Sequence, residues 1–382
     1  MFLSVDLCTG PEMNSTTTRR WPWVVPILVY AAATLEMIIM VTPFAAYFYS
    51  VYTPLLHGLE SSVITAWLPQ FFLPHLAYTK IAAFRYVEWL GAFLALVGIL
   101  GFFACAIQLY YGKFIKKKLV TGGLYGRVRH PQYLMLIIGG AGFLFLWPRF
   151  FILVTYLAML GLYYMLARFE EETIRKRYGS ETDVYLARVS MFNPLRKPRE
   201  NANWQPLPRS KALGIWSGVF AISLLLAFGL RALAISQFYS VAQQNPNVTA
   251  LSFRKMADDE INAVVNSALQ TVTLTNLLEE NPQYALYMQI NDGRSQLTHL
   301  LIDLGMKADR RRELQLPDDG WFLVVSRILL RDPEAGATPD PFSLAAKIEP
   351  LYLVSLARET DSATVTDLTP DLFYPGFSRI LF

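Results

Sequence analysis

WLGAFLALVGILGFFACAIQLYY, residues 89–111, is a run of 23 residues without a charge. A helix rising about 1.5 Å per residue needs about 20 such residues to cross the ~30 Å hydrocarbon core of a bilayer. The segment is therefore read as a transmembrane helix, and the fold is read outward from it. Upstream, residues 21–49 are apolar except for Glu36 and form a first span. Downstream, 133–147 and 150–167 flank Pro148-Arg149 and read as a tight helical hairpin. Its first arm is short for a full crossing, and either begins near Pro131 or sits where the bilayer thins. Residues 213–230 make a fifth apolar run.

The stretch 61–79 also lacks charge, but it contains Pro69 and Pro74. Charge bias decides its placement, because short cytoplasmic loops are enriched in Lys and Arg. Arg19-Arg20, the set Lys113, Lys116–Lys118, Arg127 and Arg129, and the basic run from Arg168 to Arg199 fall on one side only if 61–79 does not cross. It is read as lying on the outer face, with His57 and His75 as interfacial packing residues. Glu36, a carboxylate within a span, is as much a functional candidate as a structural one.

Composition agrees with lipid as part of the solvent. The 382 residues are 53% hydrophobic and only 17% charged, where soluble domains carry about 25%. The net charge of +4 is unevenly spread. Residues 237–382 hold 12 Lys and Arg against 19 Asp and Glu, a net −7, which leaves +11 for the rest. The basic residues fit cytoplasmic loops and lipid headgroups, and no nucleic-acid motif is present. Cys8 and Cys105 are poor candidates for a disulfide, and no Cys/His spacing suggests a metal. The first apolar stretch is too long for a cleaved signal peptide, and Met13 is an alternative start.

The expected architecture is an all-α polytopic membrane core, with about five transmembrane helices including a helical hairpin, and a C-terminal α+β extramembrane domain. Residues 1–20 form a cytoplasmic tail. Residues 21–111 hold the first two spans, with an interfacial segment at 51–83. A core follows at 112–198, then a linker and fifth span at 199–236. Five spans send 237–382 across the membrane. There Phe253–Glu280 reads as helical, and Gln283–Ile290, Trp321–Leu330 and Pro350–Ala357 read as strands.

The chemistry sits between 119 and 194. Residues 119–133 read LVTGGLYGRVRHPQY. Proline is favoured in the first turn of a helix, so Pro131 opens the hairpin's first arm. Arg129, His130 and Tyr133 then cluster at that helix's N-terminus, where an anionic group such as a carboxylate is favoured. The hairpin brings the chain back to the same face at Arg168, Glu170, Glu171 and Glu172. A polar pocket of Arg, His, Tyr and Glu at headgroup level follows. Each half alone is more readily a headgroup anchor or a solvated helix end.

The two halves together resemble the isoprenylcysteine carboxyl methyltransferase and phospholipid methyltransferase family of integral membrane enzymes. Gly123, Tyr125, Val128, Arg129, His130, Pro131 and Tyr133 match its G-x-Y-x-x-V-R-H-P-x-Y block. Glu170-Glu171 match its acidic pair, followed by Tyr178-Gly179, Tyr185, Val189, Phe192 and Pro194. Met135, Thr182 and Ser190-Met191 depart from the pattern. The resemblance covers about one fifth of the chain. It implies an S-adenosylmethionine site facing the cytosol. Tyr125, Arg129, His130, Pro131, Tyr133, Glu170 and Glu171 would hold the cofactor, and Arg129, His130 and Tyr133 would be catalytic. The methyl acceptor would be lipophilic or partitioned into the membrane, with membrane lipids around it and a protein partner for 237–382 in view. The membrane would be a bacterial inner membrane, or the endoplasmic reticulum in a eukaryote. A membrane reductase using NADPH and a non-enzymatic scaffold are the alternatives.

Overall fold

Apolar helices carry the first part of the chain and a single sheet the last. The computed structural model describes residues 27, 31, 34–35, 37–44, 53–60, 62, 64–75, 77–114, 120–196, 207–243, 247–314, 316–317, 319–330, 340–344, 346–358 and 363–374. Glu36 and most of the first expected span lie outside the described residues, as does the side chain of His57. Among the described residues, helix α1 is Thr53–Glu60, and a 3-10 turn Ala82–Tyr86 leads into α2, Val87–Phe114. Helices α3, Pro131–Leu146, and α4, Phe150–Tyr178, form the hairpin. Helix α5 is Ser180–Arg188 and α6 is Arg209–Ser236.

Among the described residues, three stretches are long and apolar enough to cross a membrane: Ala82–Gly112, Phe150–Lys176 and Ser210–Ser236. Helix α3 does begin at Pro131 but has only 16 residues, about 24 Å of helix. Residues 64–75 contain no helix.

The chain divides into two compact units. The first takes its described residues from Met1–Tyr49, Gly91–Phe143 and Thr155–Val219. Here α2 and α3 meet through glycine. A Cβ built on Gly98 would lie 2.3 Å from the Cα of Gly139, and one on Gly142 2.3 Å from the nitrogen of Ala95. Small residues let helix backbones approach closely, which is how membrane helices gain packing without a hydrophobic driving force. Met135 fills the notch at Gly101, where a Cβ would be 2.3 Å from its sulfur. Gly140 receives Tyr156 and Met159 of α4, and Gly161 receives Trp216 of α6.

The second unit takes its described residues from Ser50–Leu90, Leu144–Val154 and Phe220–Phe382. The turn of the hairpin is gripped by backbone. Phe72 N donates to Pro148 O at 2.8 Å, Phe150 N to Gln70 O at 3.0 Å, and Phe151 N to Leu68 O at 2.7 Å. Arg149 donates to Pro69 O at 2.9 Å and lies 4.1 Å over the ring of Phe71. Those bonds explain why a charge-free, proline-bearing stretch is not helical: its backbone groups are spent on its neighbours.

Among the described residues, six strands form one sheet in chain order: β1 Ser240–Gln243, β2 Val248–Ser252, β3 Leu286–Asp292, β4 Trp321–Leu330, β5 Ala346–Leu356 and β6 Ala363–Asp367. All neighbours are antiparallel except β2 and β3. That parallel pair is bridged by α7, Asp258–Leu269, and α8, Val272–Glu280. Helices α9, Arg294–Asp303, and α10, Ala308–Glu313, join β3 to β4. Alternation along β3 builds two cores. Leu286, Met288 and Ile290 pack with Ile261, Val265 and Leu274, while Tyr287 packs with Leu297, Leu300, Phe322 and Val324.

Candidate active site

The loop before α3 is held at several points. Gly122 is extended, Gly123 has φ +60, and a 3-10 turn over Gly123–Gly126 buries Tyr125. The Tyr125 hydroxyl donates to Gln132 Oε1 at 2.8 Å, and its carbonyl accepts from the Tyr185 hydroxyl at 2.8 Å. Val128 then runs parallel to Ser190. Arg129 N donates to Ser190 O at 2.9 Å and His130 N to Met191 O at 3.3 Å. Ser190 and Met191 thus grip the loop through their carbonyls, so their departing side chains leave the grip intact. Pro131 opens α3, where a missing N–H costs nothing.

Helix α4 returns with Glu170 and Glu171 facing this loop. His130 Nδ1 is 3.1 Å from Glu170 Oε2, and His130 Nε2 is 3.3 Å from Glu171 Oε1. Arg129 Nη1 is 2.7 Å from the same Glu171 oxygen. The Tyr133 hydroxyl donates to Glu170 Oε1 at 2.6 Å. The rings of His130, Tyr133 and Tyr163 form a stack, with centroids 5.7 and 5.0 Å apart. Glu170 and Glu171 are 2% and 1% exposed, and His130 is 3% exposed. Glu172, the next residue, turns outward and pairs with Lys176 at 2.9 Å. Helical geometry separates the run of three carboxylates into two buried and one solvated.

Both ring nitrogens of His130 face carboxylate oxygens, a setting that favours the protonated imidazolium. Burial pulls its pKa down, but Glu170 and Glu171 outweigh that and hold it above the ordinary value. Burial also lowers the pKa of Arg129. Two cations then face two carboxylates, the balance a buried ionic group requires. The balance is not complete. Glu171 Oε2 and Arg129 Nε are buried without a hydrogen-bond partner, as is the hydroxyl of Thr182. The ion pairs of Arg129 Nη1 and Glu170 Oε2 are close in distance but off hydrogen-bond geometry.

The residues singled out by sequence therefore fall in two groups. Arg129, His130, Tyr133, Glu170 and Glu171 form one cluster. Tyr125 and Pro131 shape the loop beside it, and the Tyr125 hydroxyl points to Gln132 rather than to the ions. Sequence reasoning missed Gln132 and the mutual pairing of the clustered groups. It looked for each as a ligand contact, whereas each first neutralises another.

Residues 88–181 match the phospholipid methyltransferase family. No curated protein and no solved structure matches the chain. The phospholipid methyltransferase match covers α2, the loop, the hairpin and every residue of the ionic cluster. It marks the part of the chain that is similar to these membrane methyltransferases, and it stops short of Tyr185 and Ser190, which hold the loop from outside it.

Proposed function

We propose that the chain is an S-adenosylmethionine-dependent methyltransferase whose acceptor is lipophilic or membrane-partitioned, working at the cytoplasmic face. The observation that carries this reading is the buried Arg129–His130–Tyr133–Glu170–Glu171 cluster inside the phospholipid methyltransferase match, with one carboxylate oxygen and one guanidinium N–H unused. The cofactor carries an ammonium, a carboxylate and ribose hydroxyls. Glu171 Oε2 suits the ammonium or a hydroxyl, and Arg129 Nε suits the carboxylate, so the residues fit the group. When bound, the cofactor supplies a methyl already activated on a sulfonium. What the protein adds is position, exclusion of water and charge.

His130, with a carboxylate oxygen at each ring nitrogen, is held toward its protonated form. Its part is to fix the two carboxylates against each other. An amine acceptor must lose a proton, whereas a carboxylate or thiolate acceptor needs no base. Tyr133 holds Glu170 and, with Tyr163, walls the cluster. Arg127, Arg168 and Arg188 near it support the cytoplasmic side. The test is calorimetric titration of the purified protein with S-adenosylmethionine, with NADPH as control. Glu171→Ala and His130→Ala are each expected to weaken cofactor binding at least a hundredfold. Unchanged affinity in both would falsify the assignment, and retention of NADPH instead would replace it with a reductase.

A further inference from the structure

Gln108 is the only amide in the 23 residues 89–111. A polar side chain within a span is costly and commonly functional, and this one is spent on backbone. Its Nε2 donates to Gly122 O at 2.8 Å, and its Oε1 accepts from Leu124 N at 3.4 Å. The side-chain amide thus bonds both sides of Gly123, as a neighbouring strand would. The approach is close. A Cβ built on Gly123, at φ +60, would lie 2.4 Å from Gln108 Nε2. Neighbouring positions on α2 keep the same loop near. A Cβ on Gly112 would meet Val120 Cγ2 at 2.4 Å, and Cys105 sits fully buried one turn below Gln108.

The loop so held leads directly to Tyr125, Arg129 and His130. Its far end is fixed by Tyr185 to the Tyr125 carbonyl and by Ser190 to the Arg129 nitrogen. Its near end, among the described residues, is fixed to helix by Gln108. We infer that Gln108 is a positioning residue: its amide clamps the Gly122–Leu124 turn to α2 and so sets the entry angle of the loop that delivers Arg129 and His130 to the two glutamates. This rests on the reading of the cluster as a cofactor site.

The experiment uses the full chain in nanodiscs, comparing the native protein with Gln108→Leu, Gln108→Glu and Gly123→Ala. Two quantities are read: amide hydrogen exchange over residues 120–127, without cofactor, and the Kd for S-adenosylmethionine. Gln108→Leu is expected to raise exchange at Leu124 and Tyr125 and to weaken cofactor binding about tenfold, the range for loss of one or two hydrogen bonds. Gln108→Glu keeps the shape and loses the donor when ionised, so its exchange protection should return as the pH falls and the carboxyl protonates. A merely space-filling role would show no such pH dependence. Gly123→Ala attacks the same contact from the loop and is expected to copy Gln108→Leu; it carries the test if the leucine variant does not fold. Native exchange rates in the folded variants, or a freed loop with native cofactor affinity, would overturn the inference. Failure of the native protein itself to bind cofactor would overturn the cofactor reading instead, while the exchange data would still judge the clamp.

Discussion

Two histidines in this protein sit between pairs of carboxylates, and they do opposite things. His130, in the first unit, lies 3.1 and 3.3 Å from oxygens of Glu170 and Glu171. His75, in the second, lies 3.2 Å from Glu88 and 3.4 Å from Asp303 and stacks on Phe71. The local pattern is the same, a ring with a carboxylate oxygen near each nitrogen. The carboxylates differ. Those around His130 are 2% exposed on their side chains, whereas Glu88 and Asp303 are 46% and 40% exposed. The second pair is open to its surroundings. The first is closed off, which leaves an oxygen of Glu171 without a partner. A half-satisfied buried network is costly unless something completes it. The exposed trio ties distant parts of the chain, and the buried one keeps an unspent polar atom.

The largest effect that separates them is on ligand binding. Breaking a buried ion pair by removing one partner costs about 3–5 kcal/mol. His130→Ala should therefore abolish measurable cofactor binding in calorimetry, while His75→Ala should leave the Kd within about twofold of native. Equal losses in both would erase the distinction. Next comes stability without ligand. Glu170→Gln leaves His130 protonated beside one carboxylate and should lower thermal stability by about 2–3 kcal/mol, read from the unfolding midpoint in detergent.

A smaller effect follows from pH. Burial acts to lower the pKa of His75, but Asp303 and Glu88 raise it to about 9 from 6.5. A group raised in the folded state adds stability that is fully present below the unfolded pKa and lost as pH rises through the folded one. The stabilising contribution of His75 should thus hold below about pH 6.5 and fade through pH 9. Its exposed partners limit it to about 1–2 kcal/mol. The gap in melting temperature between native protein and His75→Phe should narrow from pH 6 to pH 10; a constant gap would contradict the assignment. The smallest change is Glu88→Gln, with an exposed partner and an expected loss under about 1 kcal/mol.

How far each histidine was legible follows from chain distance. The cluster around His130 joins residues about forty apart through an antiparallel hairpin, and Pro148-Arg149 announces that hairpin in the sequence. Pro131 marks where its helix starts. The meeting of Arg129, His130 and Tyr133 with Glu170 and Glu171 could be read from those signals. The partners of His75 come from residues 88 and 303, which no local pattern links, so packing alone was expected there. The strands Leu286–Asp292, Trp321–Leu330 and Ala346–Leu356 showed in their β-branched and aromatic runs. The short β1 and β2 did not, and neither did the parallel pairing of β2 with β3, because register across a helical crossover leaves no periodic trace. Gln108 looked like one polar residue in an apolar run; only the fold shows the loop it bonds.

The contact of α2 with α3 has a bearing on traffic. At Gly98 and Gly139 one backbone lies on the other, and at Gly142 and Ala95 again, with no side chain between. An acyl chain needs a crevice to slip through, and this seam offers none. For anything the width of a lipid tail, the seam between α2 and α3 is a closed door.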